Sequence, residues 1–170
     1  MGGRVIECLR ASYANTVIQL EPQCRTELVD VIQTSKVDVQ IDVQLYQACK
    51  DIIQNRCPGS DKEDCLKVEY QKKAIANKAC KAQVTRIINE GKADIHVDPV
   101  LSVSCQADVA KFCSDIPIGK RKSFLHFFSS VQYISGSGKL LQCLLKKQKS
   151  LAKQCKATLT KRQELWKTVS

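Results

Sequence analysis

Aromatic residues are scarce in this 170-residue chain, at 5% of the total with a single Trp. No RNP-type aromatic pattern, zinc-finger spacing or recognition-helix pattern is present, so nucleic acid is not an expected partner. Long apolar runs are missing as well. No segment approaches the roughly 20 apolar residues of a membrane span, and MGGRVIECLR lacks the apolar stretch of a signal peptide. Gly2 invites a myristoylation reading that Ile6, standing where Ser or Thr is needed, argues against. The sequence has no Asn-x-Ser/Thr sequon. Acidic residues run short in one region only: residues 120–170 hold 12 Lys+Arg against the single Glu164, while residues 1–119 hold 15 against 16. That basic tail is a solvated helix face or a surface for acidic lipid, sulfated glycan or another acidic polymer. The two histidines, His96 and His126, fall in a connector and in an inserted block, so a Cys/His nucleophile is not expected. The two-to-four-residue cysteine spacings of zinc sites are also absent. Neither catalysis nor a metal or other cofactor is expected.

What the chain has is cysteine, ten residues of it, in a repeating order. Cys49, Cys57, Cys65 and Cys80 are separated by seven, seven and fourteen residues, and Cys105 and Cys113 follow Cys49 and Cys57 at an interval of 56. Upstream, Cys24 precedes Cys80 by 56 and Cys8 precedes Cys65 by 57. A fixed period of this size indicates stacked units, each too small to bury its apolar face alone. We therefore divide the chain into a partial repeat at 1–35, a complete repeat at 36–91, and a third at 92–170 with an insertion near 117–139. Units of about 56 residues commonly need covalent staples, and an even number of repeating cysteines points to an oxidising compartment rather than to reduced core thiols. The start in mid-repeat, with no leader, points to a piece of a longer protein.

Apolar spacing predicts an all-α fold of disulfide-stapled helical hairpins. Leu28, Val31 and Ile32 follow Cys24 at helical intervals, with Pro22 marking the break before that helix. Leu45, Cys49, Ile52 and Ile53 form one stripe running to Cys57, where Pro58-Gly59 stops the helix. Val37, Val39, Ile41 and Val43 alternate like a strand, yet Asp38 aligns with Asp94 and Asp42 with Asp98, ahead of Pro99. That pattern is a connector leading to a helix N-cap, a short strand being the lesser option. Cys49 and Cys57, eight apart on a helix, differ by about 12 Å of rise and cannot bond to each other. The turn after Cys57 brings Cys65 near it, and a helix from about Asn77 presents Cys80 to Cys49. Of three possible connectivities, nested pairing of Cys57 with Cys65 and Cys49 with Cys80 suits this geometry. By analogy, Cys113 pairs with Cys143 and Cys105 with Cys155. The expected partners of Cys8 and Cys24 fall in the absent front half of the first repeat, so these two bond to each other or stay free. Residues 123–139 hold three of the four Phe. They read as a long surface loop, an exposed apolar patch for a partner, or translated intron or alternative exon.

The segment EGKADIHVDPVLSVSCQADVAKFC, with ECLR and DCLKVEY ahead of their fourteen-to-fifteen-residue gaps and the closing KRQELW, resembles the C-terminal cysteine-rich repeats of the Golgi apparatus protein 1 family. Members are also called cysteine-rich fibroblast growth factor receptors or E-selectin ligands. The resemblance covers nearly the whole chain apart from the insertion. It implies a non-enzymatic module in the lumenal array of a type I Golgi membrane glycoprotein that binds fibroblast growth factors and acts in their trafficking. Those factors are often basic, so like charge disfavours contact with the tail. Heparan sulfate along Lys146, Lys147, Lys149, Lys153 and Lys156 is the alternative role. A saposin-like lipid binder, with a six-cysteine scheme, does not fit this period.

Overall fold

The computed structural model describes residues 2–14, 20–116 and 137–169. The insertion's residues 117–136, with their three readings, lie outside the described residues. Its last three, 137–139, form the first turn of a helix. The described chain is all helical: α1 (Gly2–Ala14), α2 (Pro22–Val37), α3 (Val43–Asn55), α4 (Lys62–Gln71), α5 (Lys78–Ala93), α6 (Pro99–Phe112), α7 (Ser137–Lys146) and α8 (Lys153–Lys167), with single 3-10 turns at Ile95–Val97 and Gln148–Ser150.

The sequence period is visible in the helices themselves. Both ends of α5 lie 56 positions after the corresponding ends of α2, and α6 starts 56 after α3. Each complete unit is thus a set of three helices, α3-α4-α5 and α6-α7-α8, preceded by the pair α1-α2, which matches α4-α5. Starts are set by side chains. Asp42 and Asp98 each accept a bond from the N–H three residues on, at Leu45 and Leu101, both 3.2 Å. Asn77 does the same for Ala79 and Cys80 at 2.8 and 3.2 Å. These oxygens satisfy donors that a helix leaves open at its first turn. Pro22 and Pro99 stand in the first turns of α2 and α6, where a missing N–H costs nothing.

The connector before α3 forms turns, and its counterpart before α6 forms the 3-10 turn; neither is a strand. Asp38 and Asp94 hold them by accepting from the N–H of Gln40 and His96, both at 2.9 Å. The α3 helix stops earlier than its apolar stripe: Asn55 is its last residue, and the N–H groups of Arg56 and Cys57 both return to the Ile52 carbonyl. Cys57 therefore sits on the turn and not on the helix, free to face α4.

One core joins the two complete units, running from Leu45, Cys49 and Ile53 through Val84 and Ile88 to Leu101, Leu144, Leu159 and Trp166. A second, smaller cluster gathers Tyr13, Leu28, Ile32 and Val97. It ties the first pair of helices to the 3-10 turn between α5 and α6.

Candidate functional site

Four disulfides frame the two complete units. Cys49 on α3 bonds Cys80 on α5 with Cα atoms 4.8 Å apart, and Cys57 bonds Cys65 on α4 at 5.7 Å. In the next unit Cys105 on α6 bonds Cys155 on α8 at 4.6 Å, and Cys113 bonds Cys143 on α7 at 6.1 Å. The long link joins the first helix of each unit to its third and encloses the short link, which joins the residue just past the first helix to the second. Cys80 and Cys155 lie near the starts of their helices, where the caps of α5 and the turn before α8 fix them.

Of the two outcomes open for Cys8 and Cys24, a mutual disulfide and free thiols, the disulfide is corrected: both are free thiols. Their counterparts Cys65 and Cys80 bond to residues on or just after α3. Cys8 sits on α1 and Cys24 on α2.

A cluster of charges is buried where the units meet. Arg10 of α1 makes a two-pronged contact with Glu90 of α5, Nε to Oε1 at 2.8 Å and Nη2 to Oε2 at 2.9 Å, while its Nη1 lies 2.8 Å from Asp42. Arg86 bridges the same two acids, at 2.8 Å to Glu90 and 2.6 Å to Asp42. Lys36 of α2 lies 3.6 Å from Glu90 and 2.8 Å from Glu63 of α4. Three cations thus meet three anions, and both Arg10 and Glu90 are buried. Burial pushes the Glu90 carboxyl up, but the Arg10 hydrogen bonds and the charges of Lys36, Arg10 and Arg86 outweigh it and hold the group at about 2. Burial likewise works against the Arg10 charge, and the hydrogen bonds and charge of Glu90, with the charges of Asp42 and Glu63, more than restore it. At the next joint Arg162 of α8 binds Asp98 at 2.6 Å and Asp64 of α4 at 3.1 Å. Asp42 and Asp98, read from the sequence as caps alone, therefore also pair with arginines: Asp42 takes Arg10 from the preceding helices, and Asp98 holds Arg162, which reaches across the joint to Asp64.

A third polar group flanks the small cluster. Tyr13 donates to Asp94, Asp94 accepts from His96 Nδ1 at 2.9 Å, and Gln33 donates to the His96 carbonyl at 3.0 Å. The hydrogen bond to Asp94 raises the His96 pKa against partial burial. This arrangement joins α1 and α2 to the later turn and presents no nucleophile. Among the described residues no group of three His, Cys, Asp or Glu could hold a metal ion.

The five candidate lysines share one end of the third unit. Lys146 closes α7, Lys147 follows it, Lys149 lies in the 3-10 turn, and Lys153 and Lys156 open α8. All five are exposed. None is paired with a carboxylate among the described residues. Lys139, Lys146 and Lys147 also edge a hollow of about 610 Å³ beside Phe112 and Cys143. A smaller groove of about 190 Å³ runs over the first ionic joint, lined by Ile6, Val31, Ile41 and Val43 above Arg10 and Asp42. Among the described residues no helix is long and apolar enough to cross a membrane.

Stapled three-helix units, joined by buried ions, define the class as a disulfide-bonded helical repeat protein. A family described as cysteine rich repeat matches residues 22–74 and 78–152, and the chain belongs to it. It is 30% identical over 98% of its length to the Golgi apparatus protein 1 homolog of Caenorhabditis elegans. It is 32% identical over 96% to Golgi apparatus protein 1 of Gallus gallus and of Homo sapiens. The chain spans 14% of the length of the first two relatives and 13% of the human one. No solved structure matches it.

Proposed function

We propose that the chain is a non-enzymatic binding module on the lumenal side of the Golgi, part of a membrane glycoprotein that binds fibroblast growth factors and acts in their trafficking. The observation that supports this most is the full stapling of both complete units, which suits the oxidising secretory pathway. The Golgi names of the relatives point to the same compartment. A repeat array offers an extended surface to protein ligands without needing a deep pocket. The test is titration of several fibroblast growth factors onto the oxidised, immobilised chain, with the reduced chain as control. Saturable binding lost on reduction is the expected result; no binding to any factor by the oxidised chain would sink the reading.

The exposed, acid-free lysines favour a second reading, a site for heparan sulfate or another acidic polymer. Charge reversal of Lys146, Lys147, Lys149, Lys153 and Lys156 together should abolish retention on heparin. Retention by the native chain should fall steeply with salt as counterions are released. Salt-insensitive retention would remove the ionic explanation.

A further inference from the structure

The face beside the short link carries opposite charge in the two complete units. Counted from Cys65 and Cys143, residues Asp61, Asp64, Val68 and Glu69 of one unit correspond to Lys139, Gln142, Lys146 and Lys147 of the other, so three carboxylates give way to three lysines. Arg56, one position before Cys57, pairs with Glu69 at 3.1 Å. At the same two places the third unit has Phe112 and Lys147. The hollow of about 610 Å³ lies there, between Phe112, Asp115 and Ile116 on one side and α7 on the other. This face is not a joint between units: in the second unit, with the third packed after it, Arg56 and Asp61 are exposed and Val68 is 45% exposed. Lys139, Gln142 and Lys146 stand at i, i+3 and i+7 on one side of α7, with Lys147 just past its end. All three lysines are exposed and have no carboxylate partner among the described residues. Lys111 lies over the Phe112 ring at 5.0 Å, which adds a further cation beside the aromatic wall.

We propose that this hollow seats one stretch of a sulfated glycosaminoglycan, a deepening that rests on the acidic-polymer reading above and moves its centre from α8 to the space between Phe112 and α7. Lys139 and Lys146 are about 10 Å apart along the helix, close to the length of one disaccharide, and with Lys147 they meet sulfate and carboxylate groups on successive sugars. Gln142, between them, both donates and accepts, as sugar hydroxyls and N-acyl groups require. Phe112 and Ile116 take the C–H face of a sugar ring, a contact that a bare polyanion lacks. A cleft lined by one sign of charge concentrates its counter-ion, and an apolar wall with a few placed polar groups then selects the ligand. Asp115, exposed at the rim, is the one acid lining the hollow and opposes the anion. Lys153 and Lys156 lie on α8 outside the hollow and act only by longer-range attraction, which salt screens.

The test is calorimetric titration of the full oxidised chain with a heparin hexasaccharide and, separately, with inorganic polyphosphate of equal charge. Lys139→Glu should weaken hexasaccharide binding by about tenfold, the loss of one charge-assisted contact. Lys156→Glu makes the same change in net charge on α8 and should weaken it by less than about threefold. Phe112→Ala should weaken the hexasaccharide and leave polyphosphate unchanged, with circular dichroism and a non-reducing disulfide map to show that the variant folds. Asp115→Asn should tighten the hexasaccharide, a gain that damage to the fold cannot produce. A loss in Lys156→Glu as large as that in Lys139→Glu, an Asp115→Asn chain with no gain, or a folded Phe112→Ala chain that binds the hexasaccharide like the native one would each overturn the hollow while leaving the acidic-polymer reading in place. A native chain that binds no hexasaccharide would overturn both.

Discussion

Replacing Glu90 by Gln removes one charge from the first ionic joint and leaves three cations facing two anions in a site with almost no water. Gln keeps the size of Glu but cannot accept the paired bonds that Arg10 donates at 2.8 and 2.9 Å. Breaking one side of a buried ion pair costs about 3–5 kcal/mol, because the partner's charge is left uncompensated. A second route gives a similar size. The carboxyl sits at about 2 in the folded chain against an ordinary 4.5, and at about 1.4 kcal/mol per tenfold change in proton affinity this stabilises the folded state by about 3 kcal/mol.

The pH dependence follows from the sign. Because the folded value is depressed, the contribution is complete above the ordinary value of 4.5 and disappears as pH falls through about 2. Urea unfolding of the disulfide-intact chain and of Glu90→Gln, followed by circular dichroism from pH 7 to pH 2, should therefore show a gap of about 3 kcal/mol at pH 7. The gap should narrow across the interval from 4.5 to 2. Glu164→Gln, at a side chain 59% exposed and paired only with Lys167, is the control and should change stability by under about 0.5 kcal/mol. A Glu90→Gln chain as stable as the native one at pH 7, or a gap that persists unchanged to pH 2, would refute the reasoning.

Among the staples, loop size ranks the losses: replacing Cys57 and Cys65 by Ser opens a link of sequence separation 8 and should cost about 2.5 kcal/mol. The same change at Cys105 and Cys155, with separation 50, should cost about 4 kcal/mol, both read from unfolding midpoints. Asp42→Ala should destabilise the chain by well over the roughly 1 kcal/mol typical of a lost cap, since Asp42 also pairs with Arg10 and Arg86. Asn77→Ala, which removes the side-chain cap of α5, should stay near that figure in the same assay. His96 titrates above its ordinary value because it donates to Asp94. Its contribution is complete below pH 6.5 and is lost as pH rises through the raised value, so thermal midpoints should fall over that interval in the native chain and not in His96→Gln.

Much of the fold was legible because the repeat is written in residues with few substitutes. Cysteine pairs and cap aspartates each answer a local geometric need and recur at the period, while Pro99 answers one without recurring, its counterpart being Val43. The strand-like alternation of Val37 to Val43 was a weaker guide, and its exposures explain why: Val39 is buried, but Val37 is 85% exposed and Ile41 and Val43 about half exposed. An alternating pattern covered on one face needs a neighbouring strand or sheet, and here the Asp38 side chain turns the backbone before one could form. The ionic joint was harder to read. Arg86 and Glu90 stand four apart on one helix, which is a visible pairing. Arg10 reaches the same Glu90 across 80 residues, and no local spacing encodes that contact. The free state of Cys8 and Cys24 was left open for a related reason, since only the placement of α1 and α2 decides what stands beside them.

Disulfides and buried ions divide the work between them. Every bond formed by cysteine lies within a unit, so cysteine fixes each three-helix set against unfolding but says nothing about how one set meets the next. The contacts that cross between units include Arg10 to Glu90, Lys36 to Glu63 and Arg162 to Asp64. An apolar joint tolerates sliding by a helical turn, because one aliphatic surface packs against another in several registers. A joint of matched charges does not, since a one-turn slip strands ions out of water with no partner. Arg86 and Arg162 differ in register on α5 and α8, counted from Cys80 and Cys155, yet each finds the cap aspartate of its own unit, and Arg162 also reaches across the joint to Asp64. An array assembled this way keeps a defined angle between units, which is what a surface recognised by a protein ligand spanning two units requires.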